Sequence, residues 1–214
     1  MFKKVISEHT IQGNEIFLLE SQNDKFDKTV LIIGVFHGEE PQGEYLINRF
    51  LKTDLMNLKN KLLIIPCLNP DGKIKNQRQN SNLVDLNRNF PTKNWKRTEK
   101  NDYYGGEFSA SEIETKFIIN VLNNYRIDAI LSIHAPFKIV NYDGPAKNLA
   151  HKISSLTGYK VQSDIGYPTP GSFGTYAGVE RNIPTITLEL PENETDESLW
   201  AVNKSVFSYF AYEF

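Results

Sequence analysis

The sequence has little of several features that would point to a particular class of protein. Its 214 residues include one cysteine, Cys67, so an intrachain disulfide cannot form, which is typical of proteins in a reducing compartment. No apolar run approaches the roughly 20 residues that a membrane-spanning helix needs. The positive residues at the start are not followed by the apolar stretch of a signal peptide. We therefore expect a cytoplasmic protein without a membrane partner.

The chain also lacks an excess of charge of either sign. It has 24 Lys and Arg residues against 26 Asp and Glu residues, which gives a net charge of −2. The two signs are interspersed, whereas nucleic-acid and anionic-membrane binders usually carry a basic patch or run. We therefore expect no nucleic-acid partner.

Short apolar runs alternate with segments of helical periodicity along the chain. The apolar runs cover residues 29–36, 61–68, 127–134 and 183–190, and the predicted helices cover 41–51, about 109–125, 145–156 and 197–212. Runs that are apolar on both faces are typical of central strands in a sheet that is covered on both sides. The pattern predicts an α/β fold in a single domain over residues 1–214, with a mixed, mostly buried sheet and helices on both faces.

The segment between the second apolar run and the second helix has little periodicity. Residues 69–108 are rich in Asn, Gly, Pro, Lys and Arg, and we predict a long loop there, which in a compact domain is usually functional. At residues 109–114, serines followed by glutamates predict a capped helix start.

Three polar residues lie at or near the ends of three predicted strands. They are His37, His134 and Glu189. Ligands of open α/β sheets bind beyond the carboxyl ends of the strands. One such residue alone is explained as a strand-end side chain that bonds to water or backbone. Three of them together favour a functional site.

The segment HGEE at residues 37–40 adds a carboxylate three positions after the histidine. Catalytic zinc takes three nitrogen or oxygen ligands from the protein and leaves a position for water, and two histidines with a glutamate are a recurring set. We predict a Zn²⁺ site formed by His37, Glu40 and His134. Glu39 is an alternative ligand whose spacing suits the site less well.

Several motifs occur in the order and spacing of a known family. They are HGEE at 37–40, NPDG at 69–72, DLNRNF at 85–90, SIH at 132–134 and TLEL at 187–190. Together they resemble the zinc metallocarboxypeptidases. Within that family, RQN at 78–80 and YPTPGSFG at 167–174 resemble the bacterial murein peptide amidases.

The resemblance implies the same three zinc ligands and adds two catalytic groups. Glu189 is the implied general base, which moves a proton from the attacking water to the leaving amine. Arg78 is the implied cation that stabilises the developing oxyanion. Lys73, Lys75 and Arg97 are alternative cations for that role.

The resemblance also implies a substrate with a free carboxylate. Asn87 and Arg88 hold that carboxylate, since a guanidinium binds a carboxylate through two hydrogen bonds. Tyr167 closes over that carboxylate or over the leaving nitrogen. The expected substrate is a small peptide, the murein tripeptide, cut at its γ-D-glutamyl–diaminopimelate bond. Asp143, in a predicted turn at 141–145, is either an ordinary turn residue or the acceptor of an ammonium group of this substrate.

Two other functions remain open from the sequence. A deacylase of N-acyl amino acids shares the HGxE and DLNR segments, although the NPDG turn favours a peptidase. The second alternative is an inactive relative that binds peptides, although every predicted catalytic and ligand position holds a suitable residue type.

The Ala135–Pro136 bond is a candidate cis peptide.

Overall fold

One mixed sheet runs through the protein, which we describe from a computed structural model over residues 2–214. Its eight strands within these residues are β1 (Phe2–His9), β2 (Glu15–Ser21), β3 (Thr29–Ile33), β4 (Lys61–Ile65), β5 (Ala129–His134), β6 (Phe137–Asp143), β7 (Lys160–Gln162) and β8 (Thr185–Pro191). Their order across the sheet is β1-β2-β4-β3-β5-β8-β6-β7. Strands β4, β3, β5 and β8 are parallel, whereas β2 and β6 pair antiparallel with β4 and β8. The four parallel strands therefore end at the same edge.

Helices cover both faces of this sheet. They are α1 (Gln42–Leu51), α2 (Pro70–Lys75), α3 (Ile113–Asn124), α4 (Lys147–Thr157) and α5 (Asp196–Tyr212), with a 3₁₀ turn at Leu86–Arg88 and a π-helical segment at Gly174–Val179. On one face α1, α4 and α5 form an apolar core in which the rings of Phe50 and Phe207 stack 5.2 Å apart. On the other face α3 and the π-helical segment pack around Phe36 and Phe173. The predicted α/β fold with a mixed, buried sheet and helices on both faces is confirmed.

The helices carry no sign of a membrane span. In the part of the chain that the structure describes, no helix combines the length and the apolar character that crossing a bilayer requires.

The central strand β3 ends earlier than the sequence predicts, at Ile33. The next residue must be glycine, because a Cβ at Gly34 would lie 2.5 Å from the carbonyl oxygen of Pro66. Val35 then adopts φ 55°, a left-handed conformation that β-branched residues rarely take. This bend carries the chain past the sheet edge and places His37 beyond it.

The predicted loop at residues 69–108 is partly helical. Helix α2 begins at Pro70, whose fixed φ suits the first helical position. The side chain of Asn69 caps the helix, since its Oδ1 accepts a hydrogen bond from the Gly72 backbone N–H at 2.9 Å. The NPDG motif therefore starts a short helix and is not an isolated turn.

Two further local predictions have clear outcomes. The prediction that serines cap the start of α3 is wrong. The helix begins at Ile113 after Glu112, whose side chain makes no capping hydrogen bond. The hydroxyl of Ser111 donates to the Glu112 carboxylate at 2.6 Å instead. The Ala135–Pro136 peptide bond is cis, as predicted.

A buried carboxylate, Glu114, lies in the first turn of α3. It accepts a hydrogen bond from Asn80 Nδ2 at 3.2 Å, and the same amide donates to Glu112 at 2.8 Å. Burial raises the pKa of Glu114 to about 7, and the charges of Glu112 and Asp71 add to this, whereas its hydrogen bonds oppose it. The folded state therefore binds this proton more tightly than the unfolded state. The free energy of unfolding then falls as the pH rises from about 4.5 to about 7.

Replacing Glu114 with glutamine should remove this pH-dependent loss, because glutamine resembles the protonated acid. We expect Glu114→Gln to raise the free energy of unfolding at pH 8 by on the order of 1–3 kcal/mol, with a smaller gain at pH 5. Urea unfolding at the two pH values measures the effect. Glu99→Gln, at an exposed position, is the control and should give no gain. An equal gain from Glu114→Gln at both pH values would contradict the assignment.

Candidate active site

All of the predicted site residues surround one cavity at the carboxyl ends of the parallel strands. They are His37, Glu40, Arg78, Asn87, Arg88, His134, Tyr167 and Glu189. His134 is the last residue of β5, and Glu189 lies beside it in register on β8. The structure thus brings together residues that are far apart in the sequence, because separate strands and loops meet at this edge.

His37, Glu40 and His134 form a compact buried group. The Nδ1 atoms of His37 and His134 lie 2.8 and 3.0 Å from the two carboxylate oxygens of Glu40. Each residue offers one ligand atom, and these atoms lie within 4.8 Å of one another. Two imidazole nitrogens and a carboxylate oxygen are a donor set that suits zinc. The alternative ligand Glu39 is exposed, and its carboxylate lies 4.0 Å from Arg78.

The Oδ1 atom of Asp85 lies 3.2 Å from Nε2, the second ring nitrogen of His37. Such a carboxylate fixes the tautomer and orientation of a metal-binding histidine. Burial lowers the pKa of His37, but the charges of Glu40 and Asp85 outweigh burial and raise it to about 9. Because a metal ligand must be deprotonated, binding of a metal ion at His37 would release a proton.

Sequence reasoning gave Asp85 no role, although it is the first residue of the DLNRNF motif. It is completely buried. Burial tends to raise the pKa of Asp85, but His37, Arg78 and Arg88 hold it well below its usual range. The signal that points to Asp85 is a carboxylate just before the predicted substrate-binding pair Asn87 and Arg88.

Arg78 is fixed beside the metal group from two directions. Its guanidinium donates two hydrogen bonds to Asp85 Oδ2, at 3.0 and 2.9 Å, and its NH1 lies 3.3 Å from His37 Nδ1. Its backbone carbonyl accepts from the Gly38 N–H and from Asn69 Nδ2. The NPDG motif and the HGEE motif therefore both position this arginine.

The alternative cations lie elsewhere. Lys73 pairs with Glu44 at 2.5 Å, Arg97 forms a surface ion pair, and Lys75 is exposed. Of the cations considered for the oxyanion role, Arg78 is the one that lines the cavity.

Glu189 presents an unsatisfied carboxylate oxygen near the metal group. Its Oε2 is buried and has no hydrogen-bond partner among residues 2–214. Burial raises the pKa of Glu189, and the charge of Glu40 adds to this, while His134 and His37 oppose it. A buried carboxylate that is free to take a proton is a suitable general base.

Arg88 is a buried guanidinium that forms no salt bridge within residues 2–214. It is 5% exposed, and its NH1 donates to the carbonyl of Asn87 at 2.7 Å. No carboxylate of the described chain forms a salt bridge with it. Asn87 uses its side-chain oxygen to accept from the Phe173 N–H at 2.8 Å, which leaves its amide N–H groups able to donate. Tyr167, at the rim, is 41% exposed.

Asp143 also lines this cavity. The sequence predicted it in a turn, but it is the last residue of β6. A Cβ at Gly174 would lie 2.1 Å from its Oδ2, so the absence of a side chain at Gly174 makes room for this carboxylate. Over residues 2–214, Asp143 makes neither a salt bridge nor a side-chain hydrogen bond, and burial raises its pKa. The cavity therefore holds a free cation, Arg88, and a free carboxylate.

The chain is similar to known proteins in sequence and in structure. The zinc carboxypeptidase family matches residues 2–148. Murein peptide amidase A of Escherichia coli strain K12 is 30% identical over 180 residues, which cover 78% of this chain and 73% of that protein. Murein peptide amidase A of Vibrio campbellii is 35% identical over 148 residues, covering 62% and 58%.

Solved structures agree with this result. The crystal structure of murein-tripeptide amidase from Escherichia coli O157 has a TM-score of 0.86 at 25% identity and covers 97% of this chain and 92% of that one. Carboxypeptidase A from Helicoverpa armigera shares the fold, with a TM-score of 0.80 at 17% identity over 96% of this chain and 66% of that one. Since the family match spans more than half of the sequence, this chain belongs to the zinc carboxypeptidase family.

Proposed function

We propose that the protein is a zinc-dependent hydrolase that cuts an amide bond beside a free carboxylate in murein peptides. The observation that carries this proposal is the meeting of three metal-type ligands, a free buried carboxylate and two arginines around one cavity. Family membership and the similarity to murein peptide amidases support the reaction class.

His37, Glu40 and His134 hold the zinc ion in this proposal. When bound, zinc supplies Lewis-acid activation of the attacking water and of the scissile carbonyl. Asp85 keeps the His37 ring turned so that Nδ1 faces the Glu40 carboxylate.

Glu189 and Arg78 divide the remaining chemistry. Glu189 takes a proton from the attacking water and later gives it to the leaving amine. The Arg78 guanidinium lies beside the metal ligands, where negative charge develops on the carbonyl oxygen, and its two bonds to Asp85 hold it there beforehand.

Arg88 and Asn87 bind the terminal carboxylate of the leaving group. A buried guanidinium without a counter-ion is costly, and a carboxylate ligand removes that cost. Tyr167, at the rim of the same cavity, closes over the bound group.

The murein tripeptide, cut at its γ-D-glutamyl–diaminopimelate bond, is the substrate that fits both charges of the cavity. Its leaving group, diaminopimelate, carries a carboxylate for Arg88 and a second amino group. Asp143, half-buried and without a salt bridge or side-chain hydrogen bond in the described chain, accepts a hydrogen bond from that ammonium group. An N-acyl amino acid without a basic side chain offers Asp143 no cation, and an inactive relative has no need of the free carboxylate of Glu189.

Two mutations separate the loss of zinc binding from the loss of the general base. We expect His37→Ala to lose both zinc and turnover, and Glu189→Gln to keep zinc and fold while turnover falls by about 10²–10⁴-fold. Metal content by mass spectrometry and single-substrate kinetics measure both effects. Glu39→Gln, beside the ligands but exposed, is the matched control and should resemble the unmodified protein. Full zinc occupancy in His37→Ala, or normal turnover in Glu189→Gln, would show the respective assignment to be wrong.

The proposed role of Asp143 predicts a substrate preference that depends on one ammonium group. We expect the diaminopimelate tripeptide to be cleaved faster than its 2-aminopimelate analogue, which lacks that group. Asp143→Asn should reduce this preference by roughly 10–100-fold, the value of one charged hydrogen bond, without changing cleavage of the analogue.

Kinetics on both substrates measure the preference. The panel also includes a lysine-containing tripeptide, ordinary peptides ending in Phe or Arg, and N-acyl amino acids. Faster cleavage of an ordinary peptide would contradict the murein assignment. Faster cleavage of an N-acyl amino acid would favour the deacylase. An unchanged preference in Asp143→Asn would remove this residue from substrate recognition.

A further inference from the structure

The ring of Tyr103 lies close to both arginines of the site. Its centroid is 5.1 Å from Cζ of Arg78 and 5.7 Å from Cζ of Arg88. Both distances fall within the roughly 6 Å at which a cation and an aromatic face attract each other. Tyr103 is 52% exposed, so hydrophobic burial alone does not account for its position.

A local turn holds Tyr103 in place. The Asn101 side chain accepts a hydrogen bond from the Tyr103 N–H at 2.9 Å, and the Asn101 carbonyl accepts from the next N–H, that of Tyr104, at 3.0 Å. Asn101 is tied in turn to the arginine-bearing loop, because its carbonyl also accepts from Gln79 Nε2 at 2.7 Å. These contacts fix the backbone from which the ring extends, and the two guanidinium groups lie against the ring itself.

The two arginines depend on this ring to different degrees. Arg78 is already held by two hydrogen bonds to Asp85. The Arg88 guanidinium has one hydrogen bond, to the Asn87 carbonyl, and no salt bridge within residues 2–214. Loss of the ring should therefore release Arg88 more than Arg78.

Tyr103 also lies between the two sides of the site. It lines a cavity of about 300 Å³ together with Arg88 and Pro170, and a second cavity of about 610 Å³ together with Arg78 and Glu39. In the proposed reaction Arg88 lies on the side of the leaving group, and Arg78 lies beside the scissile carbonyl. The ring thus stands at the boundary between them.

We propose that Tyr103 is a positioning residue that orients the Arg88 guanidinium for the terminal carboxylate of the substrate. This rests on the proposed function. The face of the ring attracts the cation and covers one side of it, so that fewer orientations of the guanidinium remain before the substrate arrives. The aromatic ring, and not the hydroxyl, supplies the effect.

Kinetics on the zinc-loaded enzyme test this role. We expect Tyr103→Ala to raise KM for a free-carboxylate substrate by roughly 2–30-fold, the value of one cation–π contact, with kcat unchanged. Tyr103→Phe should restore the original KM, and KM for the carboxamide form of the substrate should not respond to either change. Phe108→Ala, at another exposed aromatic of the same loop, is the matched control and should leave KM unchanged.

A binding measurement separates this role from catalysis. In the Glu189→Gln background, calorimetry with the same free-carboxylate peptide should show weaker binding after Tyr103→Ala by the same factor. Turnover is not needed for this measurement, so a failure of the proposed hydrolysis would appear as inactivity of the unmodified enzyme and would not hide the Tyr103 effect. An unchanged KM and Kd in Tyr103→Ala, a loss of kcat at constant KM, or an equal effect in Tyr103→Phe would overturn the proposal.

Discussion

The buried carboxylate of Asp85 is the interaction on which the rest of the site depends. One oxygen contacts Nε2 of His37 and accepts the Asn87 N–H at 2.8 Å, and the other accepts two hydrogen bonds from Arg78. A carboxylate that is removed from water is stable only when opposite charges and donors replace its hydration. Asp85 meets this condition with groups from three different segments, and in doing so it links a metal ligand, the oxyanion cation and the substrate-binding turn. None of the three can shift without leaving part of this charge uncompensated.

The other charged groups of the cavity are left without such compensation. In the described part of the chain, Arg88 and Asp143 have no salt bridge, and one oxygen of Glu189 has no hydrogen bond. Burial raises the pKa of Asp143 and of Glu189, so the charged form of each carboxylate is less favourable in the folded chain than in water. Each of the three groups becomes satisfied by one part of the proposed substrate or of the attacking water. Stability that is lost at these positions is therefore available as binding energy, and the satisfied Asp85 network keeps the surroundings rigid enough to hold them apart.

The sequence predicted the metal group and the base because their positions follow from a general rule. His37, His134 and Glu189 each come at the end of an apolar run, and parallel strands carry their carboxyl ends to one edge of a sheet. Motif resemblance supplied Arg78, Asn87 and Arg88, whose loops have no periodicity from which a position can be calculated. The prediction for Asp143 was incomplete because β6 has a mixed pattern of exposed and buried residues, and its partner β8 lies more than 40 residues later. Pairing over such a distance is determined by tertiary contacts, as is the approach of Tyr103 to two arginines.

The two arginines differ in a way that fits two kinds of negative charge. Arg78 has a permanent counter-ion in Asp85, so its charge is partly offset but its position is fixed in advance. Fixed dipoles and cations are effective where charge develops only during the reaction, because no reorganisation is then needed. The Arg88 guanidinium has no salt bridge within residues 2–214 and a looser hold, which suits a carboxylate that is already charged when the substrate binds. Interactions present equally in the ground and transition states govern binding, whereas interactions that strengthen in the transition state govern rate. Changes around Arg88 should therefore appear in KM and changes around Arg78 in kcat, and the different surroundings of two identical side chains are enough to separate these roles.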